Sequence, residues 1–370
     1  MNLDEIRVDI DKVDTELKEL FLKRMELIHK VYEYKKENNI PVKNEGREAQ
    51  IIEKRTGDLT RFKDETKEFF KTMIDISCKY QEQNLSDGIK VDFSFLKTDN
   101  SDFLNSVKKV AFQGISGSYG SEMAKKLFNK KELINKPTFK DVCLSVKNKE
   151  CDVGILPIEN LSAGSVSEVY DLIFENDLTI VKSEELEINH CLLGKGTLED
   201  IKKVKSHPQA LSQCSEFINK MGYEKEEGIN TAVSALEVSE NEDITVGAIG
   251  NKINSEFYNL KVLKENISDI KGNKTRFIAV TSKKIILDNP KKISLVFTLP
   301  HKVGSLSRVL NDFANNSFNL TKIESRPVKS NNWEYRFYAD IEGDITEDNT
   351  KKHLEKISYL FEEIKVLGNY

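Results

Sequence analysis

With 370 residues the chain is too long for one compact core and implies two or three domains. Hydrophobic residues at 38%, charged residues at 32% and a net charge of -5 fit a water-soluble protein, and no apolar run approaches the roughly 18 residues of a membrane span. The five cysteines lack CxxC spacing, the acidic start MNLDEIRVDIDK is no secretory leader, and no basic block is interleaved with aromatics, which points to the cytoplasm and away from disulfide scaffolds and nucleic acid.

From Leu3 a three-four seam runs through Ile6, Ile10, Val13, Leu17, Leu20, Arg24, Leu27, Val31 and Tyr34. Held for more than four heptads without proline or glycine, it predicts one helix of about 35 residues, roughly 50 Å long. Such a rod needs long partners, and a second copy of itself is the simplest supply. Arg24 interrupts the seam, and a guanidinium inside a helix interface requires an anion from the protein or a ligand. Arg7 and Lys35, four heptads apart, share a flank of the rod. After Asn39-Ile40-Pro41 a second helix opens near Asn44, carries Arg47 and Glu48 and closes at Gly57, and a third runs from about Leu59 to Gln83. A cationic cluster in a helical unit suits a small, multiply negative ligand. The same spacing fits a plain dimeric coiled coil with one interhelical Arg-Glu pair.

Between Gln83 and Ser106 the chain turns polar and aperiodic and reads as a connector, with a short element around Phe93 to Leu96. Val110-Ala111-Phe112 then forms a strand, and Gly114 to Gly120 a turn into a helix. The GxxGxxG spacing, with no acidic residue in a clear second strand about 20 residues on, is not a dinucleotide fingerprint, and the absence of Gly-Lys-Ser/Thr excludes a P-loop. The turn either brings backbone N–H groups to a carboxylate or is purely structural.

The stretch from Asp152 to Val166, DVGILPIENLSAGSV, is a buried strand that Pro157 places at an end of the sheet, followed by Glu159, Asn160, Ser162, Gly164 and Ser165. Ligands of open α/β sheets collect where strands end and helices begin. With a helix starting near Ser165, this segment makes either an anion-friendly pocket or a polar turn with an N-cap. Strands and helices then alternate as far as Thr275-Arg276-Phe277, which argues for two α/β lobes with a crevice between them. The chain is expected to leave the first lobe after Val181 and return near Leu260, setting the Asn160 segment and Thr275 on facing walls. Ser206 before His207-Pro208 reads as an N-cap, and His190 and His207 as core or capping histidines without metal-ligand spacing. Arg276 alternates with Thr275 and so should face the other way. After Asn289-Pro290 the order is β-α-β-β-α-β, a four-stranded antiparallel sheet with both helices on one face and a bare face or edge that invites another copy.

Three resemblances add to this reading. Arg7, Arg24, Lys35, Arg47-Glu48 and Gln81 resemble the pattern of the helical chorismate mutase domain, an intertwined dimer. The resemblance implies that Arg7 of the partner subunit, with Arg24 and Arg47, holds the two carboxylates of chorismate. Lys35 and Gln81 would then meet its ether oxygen and Glu48 its ring hydroxyl. Asn44 stands where that family usually has aspartate, keeping an acceptor but losing a charge, and is expected to weaken positioning.

Gly114 to Tyr119, Pro157-Ile158-Glu159-Asn160, Gly164-Ser165-Val166, Ser206-His207-Pro208-Gln209, Gln213-Cys214, Asn230-Thr231-Ala232 and Thr275-Arg276-Phe277 resemble the motif set of prephenate dehydratase, two lobes around a cleft with no metal or organic cofactor. This implies a catalytic Thr275 at the leaving hydroxyl of prephenate, with Asn160, Ser206 and Gln213 lining the cleft and Thr231 on a carboxylate. Arg276 becomes a carboxylate binder or a structural ion pair, and Glu159 an alternative acid. Gly304-Ser305-Leu306 and Glu324-Ser325-Arg326-Pro327 resemble an ACT regulatory domain, which implies L-phenylalanine binding and feedback inhibition.

The complete chain resembles the bifunctional chorismate mutase/prephenate dehydratase family. The expected divisions are an all-α mutase domain (1–83), a linker (84–106), a two-lobed α/β domain (107–284) and a ferredoxin-like α+β ACT domain (290–370), assembled as a homodimer with a tetramer left open. An arogenate-type substrate and a non-enzymatic small-molecule sensor are the alternatives.

Overall fold

A computed structural model describes residues 2–85, 88–328 and 334–370. Ser86 and Asp87 of the expected connector lie outside the described residues.

The first helix, α1 (Leu3–Glu37), has the length its seam demands and opens on a capping box in which the Asn2 side chain accepts from Glu5 N at 2.9 Å. Helix α2 (Glu45–Thr56) starts at the N-cap Asn44, and α3 (Lys63–Leu85) runs back along α1. Only the C-terminal half of α1 meets α3, through Arg24, His29 and Tyr32. Leu3, Val13 and Leu20 are 62%, 55% and 64% exposed, so the N-terminal half of the seam has no cover within one chain.

The connector is packed down. Val91 is buried and, with Ile89, Phe93 and Phe95, joins the apolar core of the C-terminal unit, while Leu96–Lys97 pairs in parallel with Ile285–Ile286. The alternation in VDFSF is the sequence signal for this.

In the first lobe, β1 (Lys109–Gln113) leads through the glycine turn into α4 (Tyr119–Leu127), followed by β2 (Glu132–Lys136), α5 (Phe139–Lys147), β3 (Val153–Asn160), α6 (Ser167–Glu175) and β4 (Thr179–Glu187). The chain crosses to the second lobe after Glu187, not Val181. There β5 (His190–Gly194), β6 (Lys203–Ser206), α7 (Pro208–Gln213), β7 (Glu224–Glu227), α8 (Thr231–Glu240), β8 (Val246–Asn251), α9 (Ile253–Phe257) and β9 (Lys261–Lys264) build a sheet of order β9-β5-β8-β6-β7. It returns through β10 (Lys274–Thr281), and the two crossing segments run side by side, Ile188 N donating to Asn273 O at 2.8 Å.

Strand β10 lies between β3 and β4, which revises two expectations. Thr275 is the direct cross-strand partner of Asn160, so the two stand on one wall and do not face each other. Strand β3 is also central, flanked by β1 and β10. Its Pro157 is tolerated because β1 pairs only as far as Ile155 and the β10 register shifts at Arg276/Phe277, opposite the proline.

The C-terminal unit follows the βαββαβ order: β11 (Lys292–Thr298), α10 (Ser305–Asn315), β12 (Leu320–Pro327), β13 (Tyr335–Glu342), α11 (Asp348–Lys356) and β14 (Glu363–Asn369). Its sheet is not free on both edges, because β14 continues in parallel onto β4 with Gly368 opposite Ile180. A Cβ on Gly368 would meet the Ile180 carbonyl oxygen at 2.1 Å, which is why a glycine stands there. One continuous sheet therefore runs β12-β13-β11-β14-β4-β10-β3-β1-β2. No described helix is long and apolar enough to cross a membrane.

Candidate active sites

In the helical unit, Arg24 of α1 and Gln81 both bond Ser77 on α3, Glu48 of α2 meets the neighbouring Cys78, and Lys35 stands near the C-terminal end of α1. Arg24 donates to Ser77 Oγ at 2.5 Å, and among the described residues no carboxylate pairs with it. Burial pushes its guanidinium below the usual arginine value. Lys35 Nζ donates to Val42 O at 2.5 Å, which ties it to the loop between α1 and α2. Gln81 is buried, donates to Ser77 O at 3.1 Å and leaves Oε1 without a partner. Cys78 lies 3.9 Å from Glu48 Oε1, and burial first, then that carboxylate, push its thiol up to about 11. Asn44 is a helix cap, its Oδ1 accepting from Arg47 N at 3.0 Å, so its acceptor is in use without a ligand. Arg47 is exposed at the rim. Among the described residues Arg7 pairs with Asp4 alone, and it lies roughly 25 Å along α1 from Arg24, out of reach of the others in one chain.

Between the lobes lies a cleft of 440 Å³, within the range of small-molecule sites. Asn160, Gln213, Thr231 and Thr275 all line it, and so does His190, which the sequence pattern marks only as a core or capping histidine. Ser206 does not line it. That residue is wholly buried at the end of β6 and donates to Ile249 O at 2.6 Å, and the N-cap of α7 is His207, whose Nδ1 accepts from Gln209 N at 3.2 Å. The register of β6 turns Ser206 inward and passes the rim position to His207.

The geometry around Thr275 is tightly held. Asn160 Nδ2 donates to Thr275 Oγ1 at 2.8 Å and to Lys274 O at 3.2 Å. Its Oδ1 accepts from Ser162 N and Ala163 N, both at 3.0 Å, and from Ser162 Oγ at 2.7 Å. Two backbone donors therefore fix which way the amide faces. Gln213 Nε2 donates to Ser162 Oγ at 2.6 Å, His190 Nε2 lies 2.9 Å from Gln213 Oε1, and Tyr119 Oη lies 3.2 Å from His190 Nδ1. Burial pushes His190 below the ordinary histidine value and the Tyr119 hydroxyl well above its own.

Three helices begin at the rim, with Ser118 and Tyr119 at the head of α4, His207 before α7, and Asn230 and Thr231 at the head of α8. Caps take part of each first turn, Ser118 accepting from Ser121 N, His207 from Gln209 N and Asn230 from Val233 N, and the N–H groups left over, chiefly on α4 and α8, favour an anion in a cleft whose lining, among the described residues, holds no lysine or arginine. The glycine turn before α4 has another purpose. Gly117 sits in the left-handed region, and a Cβ there would fall 1.9 Å from Asn254 Oδ1 of the second lobe, while Tyr258 Oη donates to Ser116 O at 2.5 Å. Close contact between the lobes, not approach to a ligand, requires this glycine.

Arg276 is turned away from the cleft. It pairs with Glu159 and lies 3.8 Å from Asp340 of the C-terminal unit. Both Arg276 as a substrate ligand and Glu159 as the acid are therefore displaced, since alternation along β3 and β10 puts them on the far face of the sheet. Glu159→Gln is expected to leave the rate on prephenate within about threefold of the parent, in line with an uninvolved group. A loss of about 10²-fold in steady-state turnover would return Glu159 to the chemistry.

In the C-terminal unit, Gly304 takes the left-handed conformation at the head of α10. Beside it lies a cavity of 460 Å³ lined by Leu299, Ser305, Leu306, Tyr335 and Phe337 among others. Glu324 and Arg326 do not reach this cavity: Glu324 accepts from Ser167, and Arg326 Nε donates to Asp171 Oδ2 at 2.8 Å, both on α6 of the first lobe. Ser325, alternating with them along β12, is exposed on the other face. The expected effector residues thus fall into two groups within one chain, the turn at Gly304 to Leu306 and a clamp on α6.

A helical unit, a cleft between two α/β lobes and a βαββαβ unit, in that order, define a three-part class of protein. Family patterns agree with it: chorismate mutase type II matches residues 6–82, prephenate dehydratase residues 110–285 and the ACT domain residues 293–358. A bifunctional chorismate mutase/prephenate dehydratase of Buchnera aphidicola subsp. Schizaphis graminum is 32% identical, covering 98% of this chain and 95% of its own length. The arogenate dehydratase/prephenate dehydratase 1 of Arabidopsis thaliana is 37% identical over 73% of this chain and 74% of its own. Among solved structures, the prephenate dehydratase of Arthrobacter aurescens in complex with L-Phe is 26% identical with a TM-score of 0.66, covering 71% of this chain and 89% of that one. The chain belongs to the bifunctional chorismate mutase/prephenate dehydratase family.

Proposed function

We propose that the chain converts chorismate to prephenate in its helical unit and prephenate to phenylpyruvate in its cleft, within phenylalanine biosynthesis, and that L-phenylalanine restrains it through the ACT unit. Family membership supports the pair of activities. The observation that carries the second is the Asn160–Thr275 pair in an interlobe cleft bordered by helix N-termini.

The first reaction is a unimolecular rearrangement with no proton transfer, so the helices have only to hold a compact substrate conformer and to stabilise charge growing on its ether oxygen. Lys35 and Gln81 are assigned to that oxygen, Arg24 and Arg47 to the carboxylates and Glu48 to the ring hydroxyl. Arg7 reaches the site from a second chain in an intertwined homodimer. The exposed half of the α1 seam and the distance of Arg7 from Arg24 support that assembly.

In the second reaction the bond from the ring to its carboxylate breaks and releases carbon dioxide. Those electrons become the third double bond of the ring, and the carbon–oxygen bond to the ring hydroxyl breaks, the oxygen leaving as water with one proton from solvent. Thr275 is too weak an acid to surrender a proton outright, and its role is to donate a hydrogen bond to the leaving oxygen. Helix N-termini hold the dianion without an ion pair on the departing carboxylate, a contact that would stabilise the ground state and slow the loss of carbon dioxide.

Feedback acts by differential binding of phenylalanine to two arrangements of the ACT unit. Glu324, Arg326 and Tyr338 hold Ser167 and Asp171 on α6, the helix that follows the Asn160–Ser165 turn, which gives the effector a short route to the cleft.

The arogenate reading is favoured by the name of the Arabidopsis relative. A mutase on the same chain delivers prephenate and not arogenate, which favours the first reading. Parallel assays on prephenate and L-arogenate, with and without saturating phenylalanine, test it. Faster turnover of prephenate, slowed by phenylalanine, is expected; faster turnover of arogenate would reverse the assignment.

A further inference from the structure

We propose that Tyr119, His190, Gln213 and Ser162 form a hydrogen-bond chain, closed only when the lobes meet, that runs one way into Asn160 and strengthens its hold on the Thr275 hydroxyl as a donor into the cleft. The inference rests on the dehydratase reading and assigns positioning residues to that site.

Direction follows from the Asn160 end. Backbone N–H groups of Ser162 and Ala163 occupy Asn160 Oδ1, so the amide presents Nδ2 to Thr275, and Thr275 Oγ1 must accept. Its own hydrogen then points elsewhere, and among the described residues no protein acceptor takes it. Ser162 gives its single hydroxyl hydrogen to Asn160 Oδ1, which leaves its oxygen to accept from Gln213 Nε2. Gln213 Oε1 then takes the hydrogen of His190 Nε2, and the remaining nitrogen of the ring, Nδ1, is left as an acceptor 3.2 Å from Tyr119 Oη, whose one hydrogen is shared with Asn189 O at 3.3 Å. Burial keeps the imidazole neutral, which gives it one donor and one acceptor as the chain requires.

From His190 onward every donor in this series aims toward Thr275. A hydroxyl that accepts such a bond becomes a better donor, because aligned hydrogen bonds polarise one another. The chain does not carry a proton, since passing one through two carboxamides would demand their imidic-acid forms. It transmits polarisation.

The chain also crosses the cleft twice. Tyr119, Ser162, Asn160 and Thr275 belong to the first lobe, His190 and Gln213 to the second. Opening the lobes breaks the Tyr119–His190 and Gln213–Ser162 contacts together, so the polarisation that reaches Thr275 through Ser162 and Asn160 is tied to closure over substrate, while the Asn160 amide keeps the orientation its backbone donors set.

The test is prephenate kinetics on the full chain and on His190→Leu, His190→Gln, Ser162→Ala and the double variant His190→Leu/Ser162→Ala. His190→Leu and Ser162→Ala are each expected to lower kcat about tenfold with KM changed less than threefold. His190→Gln, which keeps an N–H donor toward Gln213, should recover most of kcat. The double variant should be no slower than the slower single, because both break one chain. Should His190→Leu fail to fold, Ser162→Ala against the parent decides. A kcat within twofold of the parent in Ser162→Ala, equal losses in His190→Gln and His190→Leu, or multiplying losses in the double variant would each overturn the chain. An unchanged parent rate of zero on prephenate would instead remove the dehydratase reading itself.

Discussion

Thr275→Ala is expected to slow the conversion of prephenate to phenylpyruvate by about 10²-fold or more while leaving the chorismate reaction untouched. Thr275 is 8% exposed at the cleft wall, and its Oγ1 is placed by Asn160 Nδ2 at 2.8 Å. Removing the hydroxyl deletes the donor to the leaving oxygen, yet Asn160 keeps the Lys274 carbonyl and its two backbone donors, so the wall stays in place. Thr275→Ser retains the hydroxyl and should retain most of the rate. Steady-state kcat on prephenate, with chorismate turnover of the same sample as control, distinguishes the cases, and a Thr275→Ala rate close to the parent would strip the residue of its role.

Lys35→Ala is the converse. The ammonium is half-buried on α1, held at the α1–α2 loop by Val42 O, and is the donor assigned to the ether oxygen where charge develops. Loss of a preorganised donor in such a site costs about 10²–10³ in rate, and the loss of a charged one falls at the upper end or beyond. Chorismate consumption should therefore collapse by about 10³-fold while prephenate turnover stays at the parent level. Retained mutase activity would show that the helical cluster is a coiled-coil contact and nothing more.

The parts of the fold that were legible in the sequence are those governed by local pattern. The seam, sustained through Arg24 without proline or glycine, predicts α1 to its full length, and Asn44 marks the start of α2 because capping is a matter of adjacent residues. The βαββαβ order of the C-terminal unit followed from alternating apolar runs. Contacts set by register were not legible. A one-residue bulge at Ile158 of β3, opposite Arg276/Phe277, and the pairing of β10 between β3 and β4 place Thr275 beside Asn160, and no local pattern encodes that. Strands β2 (ELINK) and β7 (EKEE) are charged edge strands without an apolar alternation to mark them.

The site divides in the same way. Asn160, Gln213, Thr231 and Thr275 share the cleft, and alternation correctly turned Arg276 away from it, into the ion pair with Glu159. Ser206 was misplaced because its neighbour His207 takes the cap, a choice decided by where β6 ends. His190 opens an apolar strand, HCLLG, and a titratable residue heading such a run was the available signal that it borders a cavity. The separation of Glu324 and Arg326 from the Gly304 turn reflects the docking of the C-terminal sheet on α6, a contact between distant segments that no single motif announces.

The account turns on one chain performing both reactions at separate sites. Its most direct test is to give purified, folded protein chorismate alone and follow chorismate, prephenate and phenylpyruvate over time. Prephenate should rise and then fall as phenylpyruvate accumulates to match the chorismate consumed. Chorismate left intact, or prephenate that accumulates without phenylpyruvate, would contradict it.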